Sequence, residues 1–204
     1  MKVLSIGAGT ERIDGAVHMD RVPLPGIDIV WDLEKIPWPM GSGCWDKVVA
    51  TDVLEHLAEL IPVMDEINRI LVKGGTLELQ VPLWNTINWA IDPTHKRAFT
   101  PLTFDYWCPD TMLGGKYWYY TKTAFKKVSE RVQEHGELVM VLEKLGDKRE
   151  KALEVLNARG LSEIKRSLRK AHPKWSESKV EQAAARTWNK AKAGSGQTVG
   201  RGRR

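Results

Sequence analysis

Apolar residues gather in short runs separated by polar turns, and the runs fall into two periods. Lys2-Val3-Leu4-Ser5-Ile6 ends abruptly in Gly7-Ala8-Gly9, which predicts a buried strand feeding a tight turn. Ala16 to Asp20, Ile27 to Trp31 and Lys47 to Ala50 predict three more strands. Each meets an acid at its end: Asp20, Asp32, and Asp52 after Thr51. The period then changes. Leu57, Leu60, Ile61, Met64, Ile67 and Leu71 recur every three or four residues, the apolar face of a helix. Pro62 fits the first turn of that helix, and Lys73-Gly74-Gly75 is expected to stop it. Thr76 to Val81 predicts a fifth strand, closed by Pro82. Alternation of this kind implies an α/β fold: a mostly parallel, Rossmann-like sheet with helices on its faces.

The pattern loosens after Pro82. Residues 83–115 carry Trp84, Trp89, Phe99, Phe104, Tyr106 and Trp107 among Asp92-Pro93, Thr100-Pro101 and Cys108-Pro109. A lid or substrate insertion is expected there. Residues 117–132 and 137–144 predict strands around Glu134-His135-Gly136, a C-terminal β-hairpin. From about 147 the composition turns charged and helix-forming, with Ala183-Ala184-Ala185 a strong helix former. His172-Pro173 is expected to break this stretch, and Ser176 or Ser178 to cap a helix over 177–192. The expected organisation is an α/β domain over 1–145, a basic helical appendage over 146–193, and a disordered Gly-, Ser- and Arg-rich tail over 194–204.

Charge sharpens that division. The chain is formally +5, yet residues 159–204 hold 13 Lys/Arg against 3 Asp/Glu, a balance of +10. The first 158 residues therefore sum to about −5. The tail is either a solvated polyelectrolyte or a weak docking arm for nucleic acid. Hydrophobic residues make up 42% of the chain, enough for a core, but no run nears the roughly 18 residues a bilayer requires. The only cysteines, Cys44 and Cys108, form no C-x-x-C pair, so neither a disulfide framework nor a metal site is expected. No signal peptide is expected either, and a cytoplasmic location fits.

A Gly-x-Gly turn alone says little. Its conjunction with acid-tipped strands says more: glycine lets a ligand approach the backbone, and an acid on the next strand can accept both hydroxyls of a ribose. A dinucleotide oxidoreductase is disfavoured, because Arg12 stands where a third glycine belongs and Gly9 lies eleven residues from Asp20 rather than roughly twenty.

Leu4 to Gly9 resembles the first motif of class I S-adenosylmethionine-dependent methyltransferases. Asp32-Leu33-Glu34-Lys35-Ile36-Pro37-Trp38-Pro39 resembles the adenine-side loop of a compact subfamily, and Trp45 to Leu57, with its Leu54-Glu55-His56, the fourth-strand motif. Glu66 to Gly75 is similar to the helix and Gly-Gly turn before strand five, and Asp92 to Thr100 to a segment after it. The likeness covers roughly residues 2–145. It implies S-adenosyl-L-methionine as cofactor. Gly7 and Gly9 would line its methionine end, Asp20 the ribose, Asp32 and Leu33 the adenine, and Asp52 and His56 the sulfonium. The short Gly9–Asp20 link leaves little room for a first helix, a shortness the subfamily shares.

His56 and His95 are the base candidates, since imidazole titrates nearest neutrality. His56 is equally a residue that packs the following helix, and His95 equally a turn former. Asp52 and Glu55 could pair with the sulfonium; Glu55 could equally be a first-turn helix acid. Lys96 and Arg97 could recognise an anionic group, or be solvated. Most of the aromatics read as lid core, with Trp84 and Phe99 the pair expected to face a pocket. The expected reaction is methyl transfer to an oxygen or nitrogen of a small-molecule or sugar-like acceptor. Two alternatives stand beside it: a nucleic-acid methyltransferase docking through the basic tail, and a cofactor-binding scaffold without turnover. No Asn/Asp-Pro-Pro-Tyr or Pro-Cys motif supports the former.

Overall fold

The computed structural model describes residues 1–121, 123–147 and 161–195. The chain divides into two units, Met1–Ala152 and Leu153–Arg204.

The first unit is built on a seven-stranded sheet: β1 (Val3–Ile6), β2 (Ala16–Asp20), β3 (Ile29–Val30), β4 (Trp45–Thr51), β5 (Leu71–Pro82), β6 (Thr123–Val132) and β7 (Glu137–Asp147). Their order is β3-β2-β1-β4-β5-β7-β6. Strands β1 to β5 run parallel, and β7 is antiparallel to both β5 and β6. The chain moves outward from β1 through β2 to β3, then returns to place β4 on the other side of β1. The crevice at the carboxyl ends of β1 and β4 is the topological switch point, where open α/β sheets bind ligands.

Apolar side chains explain why the sheet forms. Leu4, Ile6, Met19, Val48, Ala50, Leu77, Leu79 and Val81 are buried in one core with Val63, Met64, Ile67 and Ile70 of helix α1 (Leu60–Ile70). Pro62 does fall in the first turn of α1. The helix ends differently from expectation. Leu71 is already extended, and its N–H donates to the Ile67 carbonyl. Gly74, at φ +78°, lies inside β5, where the register jumps from Trp45 opposite Leu71 to Lys47 opposite Thr76. The Gly-Gly pair therefore makes a bulge rather than a helix cap.

Other boundaries also shift. Residues 117–120 are not strand: Trp118–Tyr120 is a 3-10 turn, and β6 begins at Thr123. The β6–β7 hairpin turns through Gly136 at φ +89°. No helix separates β1 from β2, so the β1–β2 link is a bare loop. Residues 83–120 carry short helices α2 (Ile87–Ile91) and α3 (Met112–Lys116) around a 3-10 turn, Thr103–Trp107. Phe99 stacks on Phe104 with centroids 5.4 Å apart, and both are fully buried.

The second unit contains helix α4 over residues 161–171 and α5 (Glu177–Ser195). Ser176 caps α5, its hydroxyl accepting from the Lys179 N–H at 3.3 Å. Lys165 pairs with Glu181 at 2.9 Å, and Arg169 with Glu177, so part of the basic surface is already neutralised. The expected disordered tail begins at residue 194, but Gly194 and Ser195 belong to α5; residues 196–204, like residues 148–160 of the appendage, lie outside the described residues. No helix among the described residues is long and apolar enough to cross a membrane.

A part-buried ion pair ties the loop after β3 to α1. Glu66 accepts from the Trp38 N–H at 2.6 Å and from Arg69 Nε and Nη2 at 2.8 and 2.6 Å. Burial raises the Glu66 pKa, but these hydrogen bonds outweigh it and leave the group below the usual carboxylate range. A depressed carboxylate stabilises the fold above its unfolded pKa and loses that contribution as pH falls through its folded value. Glu66→Gln is therefore expected to cost about 1–3 kcal/mol in urea unfolding at pH 7. The difference from the parent should shrink steadily below pH ~4.3.

Candidate active site

Four strand ends present their residues in the order of the sheet. Asp32 follows β3, Asp20 closes β2, Gly7 and Gly9 follow β1, and Asp52 follows β4. Neighbouring strands lie about 4.8 Å apart, so this edge spans on the order of 14 Å. Along it runs a cavity of about 300 Å³ lined by Gly7, Gly9, Asp20, Leu33, Asp52 and His56, among others.

The turn and the acid meet directly. Gly9 N–H donates to Asp20 Oδ2 at 2.8 Å, and Val22 N–H to Oδ1 at 2.9 Å. Gly7 and Gly9 both take left-handed φ, +60° and +51°. Their surroundings differ. A Cβ at Gly7 would lie 2.1 Å from Val53 Cγ2, whereas one at Gly9 would meet nothing within 4 Å. Gly7 is small to admit Val53; only Gly9 leaves space that a ligand can use. A second hollow of about 210 Å³ lies along Gly7, Ala8, Gly9, Thr10 and Glu11.

Asp32 sits at the other end. Its Oδ1 accepts from the Glu34 N–H at 3.0 Å, a local turn that aims Leu33 into the fold. Leu24, Leu33, Leu57 and Val22 give that end an apolar wall. Glu34 fixes the wall by accepting from the N–H groups of Ala58 and Glu59 at 2.8 and 2.9 Å.

Asp52 is the one non-glycine residue among those described with positive φ, +47°. Burial pushes its carboxyl up, while Gln80, 3.2 Å away, pulls it down. A strained acid at the end of β4 is where a ligand rather than packing would justify the backbone cost.

A separate cavity of about 290 Å³ adjoins the first and shares Asp52 and His56 with it. Glu55, Asn88, Ile91, Asp92, His95 and Glu137 complete its lining, with Pro82. His56 Nδ1 lies 2.9 Å from Thr94 Oγ1, whose own proton goes to Asp92 Oδ1 at 2.6 Å. The hydroxyl must then accept from His56, which leaves His56 Nε2 bare in the neutral ring. Burial, then the neighbouring His95, hold the His56 pKa down. Glu55 is 1% exposed, and burial pushes its carboxyl up to about 7.

The expected site residues separate cleanly. Gly7, Gly9, Asp20, Asp32, Leu33, Asp52 and His56 line one cavity, and His95 joins His56 in the next. Four others lie elsewhere. Phe99 is fully buried against Phe104 and offers no surface to a substrate. Trp84 is 57% exposed and lines neither cavity, so the expected Trp84–Phe99 pair does not form a pocket. Arg97 donates to the Ala58 carbonyl at 2.7 Å and lines a different hollow beside Tyr106 and Trp107. Lys96 points toward Glu34, 4.0 Å away, rather than into either cavity. Sequence reasoning left out Val53, Leu57 and Thr94. All three lie within quoted motifs, and their spacing from Asp52 and His95 was the available signal.

Comparison with known proteins agrees with this geometry. Residues 8–79 match the family model described as a methyltransferase domain. Among curated proteins no sequence matches the chain. Several solved structures share the fold. A methyltransferase from Aquifex aeolicus described as S-adenosylmethionine-dependent aligns over 70% or more of both chains (71% of this one, 82% of that one), at 10% identity and TM-score 0.50. A Listeria monocytogenes protein described as such a methyltransferase aligns over 70% of this chain and 89% of its own, at 12% identity and TM-score 0.51. A chain from the Haloferax volcanii complex of the Trm112 methyltransferase activator with a methyltransferase aligns over 70% and 81%, at 12% identity and TM-score 0.51.

Proposed function

We propose that this chain, which carries a class I S-adenosylmethionine-dependent methyltransferase domain, methylates an oxygen or nitrogen of a small-molecule or sugar-like acceptor held in the cavity beside His56. The observation that carries this reading is the junction of two cavities at Asp52 and His56. One has the shape and acid-tipped edge of a nucleoside site. The other is a polar chamber next to the place where the reacting methyl would sit.

The cofactor supplies an electrophilic methyl group on a sulfonium. The protein's task is to place the acceptor in line and to help remove its proton. In this reading Asp32 and Leu33 flank the adenine, Asp20 accepts the ribose hydroxyls, and Gly7 and Gly9 line the methionine end, where Gly9 leaves room for the arm. Asp52 faces the positive sulfur, where a carboxylate is favourable. His56 and His95, with Glu55, activate the acceptor.

The chamber's charge selects among acceptors. Asp52, Glu55, Asp92 and Glu137 surround it. Four carboxyl groups welcome hydroxyl and amine donors and repel phosphodiesters, which argues against a nucleic-acid acceptor at this position. The test supplies methyl-labelled cofactor with panels of sugars, phenols, amines, DNA and RNA. Label is expected on a neutral or cationic small molecule. His56→Ala should lower transfer at least about tenfold while S-adenosylhomocysteine affinity stays within about threefold. Label on DNA or RNA that disappears when 159–204 is deleted would establish the docking-arm alternative instead. Cofactor binding without transfer to any panel would support the scaffold alternative.

A further inference from the structure

Glu55 occupies a place where a carboxylate should not survive alone. It lies in a 3-10 turn, Leu54–His56, is 1% exposed, and neither of its oxygens has a hydrogen-bond partner. A buried carboxyl without a partner is costly even in its neutral form. Something is expected to face it.

What faces it is His95. Its Nε2 is 3.9 Å from Glu55 Oε1, too far for a hydrogen bond. The other ring nitrogen, Nδ1, lies 2.9 Å from the Trp89 carbonyl, which can only accept. Nδ1 therefore carries the proton, and Nε2 is bare in the neutral ring. Two lone-pair atoms thus look at each other across a gap. Asp92 Oδ2 lies 3.8 Å from the same nitrogen. The His56 ring stands edge-on to His95, with centroids 4.8 Å apart, and its bare nitrogen is Nε2 because Nδ1 donates to Thr94. One ligand atom from each of Glu55, His56 and His95 lies within 4.8 Å of the others.

Those separations have a simple chemical meaning. Metal–nitrogen and metal–oxygen bonds of about 2.0–2.2 Å place two ligands of one ion roughly 3 to 4.2 Å apart. The 3.9 Å gap between Glu55 and His95 falls in that range, and the trio's outer limit of 4.8 Å lies beyond it, so a bound ion would draw the side chains closer together. Each imidazole is also oriented by its second nitrogen, His95 by a carbonyl and His56 by the Thr94–Asp92 relay, as metal-binding histidines commonly are.

We propose that Glu55, His56 and His95 form a binding site for one divalent transition-metal ion, in the acceptor chamber beside the cofactor. Two imidazoles and a carboxylate suit Zn²⁺, Mn²⁺, Fe²⁺ or Co²⁺ rather than the all-oxygen preference of Ca²⁺. The ion's role rests on the functional reading above. It holds an acceptor hydroxyl and lowers its pKa. The O–H bond breaks and the proton leaves to water. The resulting oxygen attacks the methyl carbon, the carbon–sulfur bond breaks with its electron pair going to sulfur, and the ion's own charge does not change.

The experiment uses the full chain, stripped with a chelator and dialysed. Cobalt(II) chloride is added while the visible d–d band is recorded, and zinc binding is measured by calorimetry. One ion per chain is expected, with a Kd below about 10 µM. Glu55→Gln and His95→Ala should each weaken it at least about tenfold. His135→Ala, at an exposed histidine of the hairpin turn, should leave it unchanged. Glu55→Gln also guards against misfolding. It removes a buried charge, so the metal-free variant should melt at or above the metal-free parent and lose the rise in Tm that metal produces. The absence of saturable stoichiometric binding, or equal binding by Glu55→Gln, overturns the proposal. S-adenosylhomocysteine calorimetry on the same metal-free sample separates the two readings. Retained nucleoside binding without metal binding sinks the metal site alone, whereas lost nucleoside binding sinks the cofactor site.

Discussion

Gly7→Ala is expected to lower the folding stability of the first unit by about 2–5 kcal/mol, while Gly9→Ala costs only about 1–2. Both glycines have left-handed φ, so both variants carry the backbone penalty of a side chain in that region. The difference is what the new methyl group meets. At position 7 it would fall 2.1 Å from Val53 Cγ2 and 2.6 Å from Val53 Cβ. Val53 cannot withdraw easily, because it is buried in the same core as Leu4, Ile6 and Leu54. At position 9 the methyl enters open space. The stability ranking should invert in binding. Folded Gly9→Ala should lose S-adenosylhomocysteine affinity, because its Cβ projects into the hollows proposed for the methionine arm. Urea unfolding and calorimetry on both variants check this. A double cycle with Val53→Ala isolates the clash: adding Val53→Ala to Gly7→Ala should recover at least about 1 kcal/mol relative to additivity. If Gly7→Ala melts with the parent, the Val53 contact does not fix the turn.

The contrast between the two glycines shows where sequence reading succeeded and where it stopped. A Gly-x-Gly turn after a strand announces that the backbone must bend and be approached closely, and that was legible. Which neighbour approaches was not, since Val53 is forty-six residues from Gly7 and meets it only because β4 pairs with β1. The strand cores were legible from short apolar runs bounded by turns, and the acids at their tips fell along one edge because parallel strands align their carboxyl ends. The end of α1 was misread because Gly-Gly has two uses, and here the bulge in β5 took precedence over a helix cap. Phe99 was misread for a related reason. An aromatic in an irregular segment looks the same whether it lines a pocket or plugs the core, and only the Leu83–Phe99 bridge, which draws that segment against the sheet, decides it. Lys96 and Arg97 stand next to His95 in sequence but point away from it, because their N–H groups both donate to the Glu55 carbonyl and turn the chain there. The same pair of bonds brings His95 back to Glu55, a juxtaposition that no local pattern reveals.

Replacing Asp20 should give the largest loss of cofactor affinity available from one residue. Asp20→Ala is expected to weaken S-adenosylhomocysteine binding about 100-fold or more, close to 2.7 kcal/mol. The magnitude follows from counting lone pairs. An ionised carboxylate offers about four acceptor positions. Two are used by the N–H groups of Gly9 and Val22, which tie the β1 turn to the end of β2. Two remain for a pair of ribose hydroxyls, each a charge-assisted bond worth about 1.5–3 kcal/mol. Alanine removes both and also frees the Gly9 turn. Asp20→Asn keeps one oxygen and loses the charge, so an intermediate loss of roughly tenfold is expected. Stability should change little, by about 1 kcal/mol, because the Gly9–Asp20 bond is only part-buried and water can replace the carboxylate there. That separation of binding from folding distinguishes a ribose ligand from a turn brace. A pure brace would give equal losses in melting and affinity, and in both Asp20→Ala and Asp20→Asn. Affinity unchanged in calorimetry on folded Asp20→Ala would take the carboxylate out of the nucleoside site and leave the cavity beside it without an anchor for any ribose.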